Sequence, residues 1–240
     1  MKTFDVLSMF LALTSKTYPA GTEAQLKKFL PKEIKKDRIG NYFIKIGESK
    51  TIFSCHLDTY GKEQINVTHQ FVDKQYVYTD QFSILGADDK AGMTVLLYMI
   101  KHQVPGLYYF FVKEEVGGIG SKNIVAKQAD FFKDYDRMIS FDRRGTQDII
   151  THQKSGRCCS DFFATALCDA LNEQGMNYKP SVDGYFTDSD NFISLIPECT
   201  NISVGYYDEH TEMECQDIIH LERLAQSCCL IDWEALPVLR

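Results

Sequence analysis

Leu107-Tyr108-Tyr109-Phe110-Phe111-Val112 is a run of six apolar side chains with no polar alternation. A strand with one wet face alternates apolar and polar residues. An unbroken run of this length belongs to a strand covered on both faces, inside a largely parallel sheet. A chain holding such a strand must also supply helices to cover it, and this chain does. A helix fits residues 4–14. Thr22-x-x-Gln25 reads as a capping box opening a second helix to about Leu30. Met93 to about His102 is an apolar helix, stopped by Pro105-Gly106. Residues 121–129 fit another helix. Ser160–Gln174 is amphipathic, with Gly175 as its stop, and 217–231 closes the chain. Strands are expected at Tyr42–Ile46, Thr51–Cys55, Met138–Phe141 and Ile202–Gly205, with β-like stretches such as Tyr76-Val77-Tyr78. Asp37–Asn41 reads as a turn between short strands. Strands alternating with helices predict a three-layer α/β/α sandwich with a mostly parallel central sheet.

The length of 240 residues suits one α/β domain, and no repeat or Pro/Gly linker divides it. The net charge of −7 leaves no basic footprint for nucleic acid. No apolar run approaches the roughly 20 residues needed to cross a bilayer. The opening Met1–Leu13 has one lysine and a short apolar stretch, but Asp5 interrupts it and no small-x-small cleavage site follows. Four of the eight cysteines form two pairs adjacent in sequence (Cys158-Cys159, Cys228-Cys229), and no CxxC occurs. That usage predicts reduced, buried thiols in a cytoplasmic protein.

Several short apolar strands end in acids or imidazoles: His56 and Asp58, Glu114 and Glu115, and Asp142. His210 lies a few residues past another strand, and Asp88 sits where a helix begins. Sites in open α/β sheets form at the carboxyl ends of the strands, so parallel neighbours would bring these groups to one rim. Such a cluster of anions repels itself unless divalent cations compensate. Two histidines with several carboxylates suit zinc, with manganese or cobalt as substitutes. The number of ligands suits two ions sharing a bridging carboxylate.

Each piece also has an ordinary structural reading. His56-Leu57-Asp58 can be a plain strand end, Asp88-Asp89 a helix cap, and Glu114-Glu115 a solvated pair, though two glycines after it place it at a tight turn. Asp142 can pair with Arg143 or Arg144, and His210 can be exposed in a polar loop. The joint occurrence favours the metal reading. His69, His102, His152 and His220 stand in no motif and are read as surface or core residues. Tyr206 and Tyr207 are read as packing, or as lining a substrate pocket.

These segments resemble the co-catalytic zinc exopeptidases of the M20, M28 and M42 peptidase families. His56-Leu57-Asp58-Thr59 is similar to their HxD(T) segment, Gly86–Gly92 to GxxDDKxG, and Glu114–Gly117 with Gly120-Ser121 to EEVGxxGS. The resemblance spans nearly the whole chain. It implies that His56, Asp88 and Asp142 hold one metal, and Asp88, Glu115 and His210 the other, with Asp88 bridging. It implies that Asp58 orients His56, and that Glu114 takes a proton from a metal-bound water and passes it to the leaving amine. The implied activity is hydrolysis of a peptide or amide bond, as an aminopeptidase. A carboxypeptidase or N-acyl amino-acid deacylase on the same scaffold is the alternative. From another class, so is a non-catalytic metal-binding interaction protein, against which the retention of Glu114 argues. Only 143–209 separate Asp142 from His210. This predicts a bare catalytic domain of the M28 shape, with no inserted lid or dimerisation domain, acting as a monomer on a peptide or acyl-amino-acid substrate. Asp188-Ser189-Asp190 falls in that interval, as a loop that supports the site or binds substrate, or else as a capped loop before Phe192.

Overall fold

A computed structural model describes residues 4–72 and 74–240 of the chain. Lys2, the one basic residue of the possible leader, lies outside them. The elements follow in chain order. First come α1 (Val6–Leu13), β1 (Lys35–Lys36), β2 (Tyr42–Ile46), β3 (Thr51–His56), β4 (His69–Val72) and β5 (Tyr76–Thr79). Then come α2 (Ala87–Lys101), β6 (Gly106–Phe111), α3 (Ile119–Phe132), β7 (Arg137–Arg143), β8 (Asp148–Ile150), β9 (His152–Gln153) and β10 (Gly156–Arg157). The last are α4 (Asp161–Asn172), β11 (Lys179–Ser181), β12 (Glu198–Ser203), β13 (Tyr206–Tyr207), β14 (Cys215–Asp217) and α5 (Ile218–Cys228).

Eight strands form the central sheet in the order β1-β2-β6-β3-β7-β12-β8-β11. Its middle, β6-β3-β7-β12, is parallel throughout. The six-residue apolar run is therefore an interior strand, as its composition demands. Its side chains divide between two cores. Tyr108 and Phe110 pack with residues of α1, α2, α4 and α5, while Leu107, Tyr109 and Phe111 pack on the other face with Ile124 and Phe132 of α3. Alternation along a strand thus builds both layers of the sandwich at once. A second, four-stranded antiparallel sheet, β13-β14-β5-β4, lies beside it.

Two expectations shift. Residues 23–29 form a 3-10 helix, and the capping box does not close. The Thr22 hydroxyl donates to the Pro19 carbonyl, and the Gln25 carboxamide is engaged by Lys16, so neither side chain reaches the helix start. Asp142 lies inside β7, not beyond its end, because β7 keeps pairing with β12 past a register shift between Asn201 and Ser203. The segment 143–209 contributes β8, β11, β12 and α4 to the same sandwich, so its length is spent on the sheet and its cover. All eight cysteines are free thiols. Among the described residues no helix is long and apolar enough to cross a membrane.

Candidate metal centre

The parallel strands deliver their carboxyl ends to one rim. His56 closes β3, Glu114 and Glu115 follow β6, Asp142 lies near the end of β7, and His210 comes from the loop after β12 and β13. There His56 Nε2 lies 2.9 Å from Asp88 Oδ1 and 3.5 Å from Asp142 Oδ1. His210 Nε2 lies 3.1 Å from Asp88 Oδ2 and 3.0 Å from Glu115 Oε1. Asp88 thus faces one imidazole with each carboxylate oxygen. Two compact donor sets result, His56/Asp88/Asp142 and Asp88/Glu115/His210, each with its ligand atoms within 4.8 Å of one another. A third grouping, His56/Glu114/Glu115, sets Glu114 at the edge of both. Atoms sharing a tetrahedral ion at about 2.0–2.1 Å lie about 3.3 Å apart, so the measured separations fit divalent cations with small adjustment.

Asp88 and Asp89 divide the two readings open to them. The Asp89 carboxylate accepts from the Gly92 amide and the His56 amide, so it caps α2 and ties it to β3. Asp88, with non-helical backbone, turns into the site. Its own amide donates to Glu214 Oε1, and the Gly86 amide to Oε2, so a buried carboxylate holds the Asp88 loop from behind. No pattern around Glu214 marks this role in the sequence.

Asp58 does more than orient His56. Its backbone carbonyl lies 3.1 Å from His56 Nδ1, closer than its carboxylate oxygen at 3.6 Å. A proton on Nδ1 given to that carbonyl leaves Nε2 free to bind a metal. The Asp58 carboxylate instead accepts from the amides of Glu114 (2.9 Å) and Glu115 (3.1 Å), which fixes the turn carrying both glutamates.

Asp142 pairs with neither adjacent arginine. Arg143 pairs with Asp148 and Arg144 with Glu209. Thr187 Oγ1 donates to Asp142 Oδ2 (2.6 Å) and the Tyr206 hydroxyl to Oδ1 (3.2 Å). Asn201 brackets its backbone with two more bonds. Tyr206 is therefore part of the site's support as well as packing. Asp188–Phe192 forms a buried 3-10 turn behind the site, and the residue just before it, Thr187, is the one that reaches a proposed ligand. Tyr60 stacks on His210 with ring centroids 4.4 Å apart and planes 13° apart, steadying an imidazole in an exposed loop. The histidines read as outside any motif stay outside the cluster. His220, for example, is half-buried against Tyr178.

Burial and mutual repulsion set the electrostatics. Burial pushes the Glu114 carboxyl up to about 10, His56 draws it partly back, and Asp142, Asp188 and Glu115 raise it further. Burial would raise Asp88 too, but hydrogen bonds from His210 and His56 outweigh it and hold Asp88 below the usual carboxylate range. Burial disfavours a charged His210, yet Asp88 and Glu115 lift it to about 11. The carboxylates demand positive charge so strongly that the imidazoles supply it, and divalent cations meet the same demand while displacing those protons.

No family model matches the chain, and no curated protein matches it in sequence. Solved structures do match its fold. It aligns with the aminopeptidase PepT from Bacillus cereus ATCC 10987 at 16% identity over 93% of this chain and 96% of that chain, with a TM-score of 0.79. It aligns with the Pyrococcus horikoshii TET1 peptidase at 16% identity over 94% and 98%, with a TM-score of 0.74. It aligns with a tripeptidase from Staphylococcus aureus at 18% identity over 93% and 96%, with a TM-score of 0.72. The Pyrococcus protein is described as assembling into a tetrahedron or a large octahedral shell, which runs against the monomer expected here. The chain has the α/β sandwich fold on which these peptidases are built.

Proposed function

We propose that the chain is a hydrolase of peptide or amide bonds that works with two divalent cations, zinc by the chemistry of its ligands, and acts as an aminopeptidase. The observation that carries this reading is the pair of donor sets sharing Asp88, with Glu114 at their common edge. His56, Asp88 and Asp142 would hold one ion, and Asp88, Glu115 and His210 the other. Bound cations would polarise the scissile carbonyl and acidify a water molecule. Glu114 stands in neither of these two sets, and its carboxylate lies beside His56 and Glu115. Burial holds its carboxyl protonated in the absence of cations; their charge would shift it to the ionised form, which takes the proton of the attacking water and returns it to the leaving amine. Asp58 holds the Glu114 backbone so that the carboxylate meets that water in one orientation. The fold shared with PepT, TET1 and the tripeptidase supports a peptide as substrate. The monomer is set aside, since the same fold assembles into shells in the Pyrococcus protein.

Glu114→Gln, purified after zinc loading, is expected to retain about two metals per chain by elemental analysis. It should lose at least a hundredfold in turnover of aminoacyl and peptidyl substrates, the size typical of losing a general base. Metal-free wild-type protein under zinc-replete conditions would overturn the metal reading. An active Glu114→Gln would overturn the assignment of the base.

A further inference from the structure

The cavity over the donor cluster measures about 410 Å³, room for a short peptide, and its lining sets two arginines, Arg143 and Arg144, among five carboxylates. They differ in availability. Arg143 gives Nε and one terminal nitrogen to Asp148 Oδ2 at 3.2 and 3.1 Å and is mostly covered. The Arg144 side chain is 61% exposed, and among the described residues its one ion-pair contact is from a single terminal nitrogen to Glu209 Oε1 at 3.3 Å. The pair steadies the guanidinium and leaves most of its donors uncommitted. Arg144 follows Asp142 by two positions at the end of β7. It lies one residue past the last residue of that strand, so its Cα atom is at most about 7 Å from that of Asp142. Its guanidinium bonds to Glu209, the residue before His210, and both line the cavity with the donor sets, so it stands within reach of a short peptide whose carbonyl is held at the cluster.

We propose that Arg144 is the anchor for a carboxylate of the substrate, which makes short peptides with a free C-terminus the substrates this site selects. The inference rests on the peptide-hydrolase reading above and deepens it. A planar guanidinium accepts a carboxylate through two parallel N–H bonds, so the site should distinguish a carboxylate from its neutral amide. An acidic side chain offers the same chemistry as a C-terminus, and the test separates them.

The test is calorimetric binding to zinc-loaded Glu114→Gln, which reads binding whether or not the wild type turns over. Trialanine is compared with trialanine amide, and Ala-Glu-Ala amide with Ala-Gln-Ala amide. Trialanine should bind about tenfold or more tightly than its amide, as expected for charge-assisted hydrogen bonds. Adding Arg144→Gln should bring the two within about twofold, and Arg144→Lys should restore part of the difference. A preference confined to the glutamate peptide, and lost in Arg144→Gln, would keep the carboxylate anchor and assign it to a side chain. Equal binding of acid and amide in both pairs, or a preference that survives Arg144→Gln, would overturn the proposal. A wild type that binds with this preference but cleaves nothing would overturn the hydrolase reading and leave the anchor standing.

Discussion

Both carboxylate oxygens of Asp142 accept hydrogen bonds from outside the donor sets, from Thr187 and from Tyr206. Such support fixes which lone pairs remain for a cation, and losing it typically weakens metal affinity about 10–100-fold. Thr187→Val keeps the shape of the side chain and removes the donor. It is expected to lose zinc to a competing chelator at correspondingly lower chelator concentration, with little change in melting temperature. Unchanged retention would show that the bond does not order Asp142. The motif residues His56, Asp88, Glu114 and Glu115 were legible because each stands in a segment whose spacing is itself informative. Thr187, Tyr206, Glu214 and Tyr60 were not. Each lies in an unremarkable stretch, and its role exists only because a distant segment folds against it.

At the scale of elements, the site depends on how closely α2 approaches β7. A Cβ built on Gly92 would collide with the Phe141 carbonyl and with the Asp89 carboxylate, neither of which can move away cheaply. That carbonyl precedes Asp142, and that carboxylate ties α2 to His56. Gly92→Ala is therefore expected to cost about 3 kcal/mol by overpacking. For a chain of this size that is a fall of roughly 6–12 °C in melting temperature, readable by calorimetry. A stable Gly92→Ala would mean the helix shifts without cost. Strand and helix identities were legible from periodicity, and the six-residue run even indicated its place inside the sheet. The 3-10 turn at 23–29 was not, because its Thr22-x-x-Gln25 pattern is diverted by Pro19 and Lys16.

At the scale of the molecule, the proposed ligands come from five separate segments between His56 and His210, so cations bound there bridge much of the fold. Ligands that bind only the folded state stabilise it by mass action, about 4 kcal/mol when free metal exceeds its dissociation constant a thousandfold. Stripping the protein with a chelator is expected to lower its melting temperature by roughly 10 °C. In Asp88→Asn, which lacks the shared ligand, the shift should largely vanish. An equal shift in both would place the stabilising metal elsewhere.

The sequence by itself determined the layer architecture, the rim on which the chemistry gathers and the motif-borne members of the cluster. Those are consequences of short-range patterns: side-chain alternation, turn residues, and acids placed at the ends of apolar strands. Tertiary structure decided which of Asp88 and Asp89 faces the site, that Asp58 serves His56 chiefly through its backbone carbonyl, and that Arg143 is committed to Asp148 while Arg144 remains largely free. Adjacent residues of the same type look alike in sequence. They separate only when the fold gives one of them a partner and turns the other into the cavity.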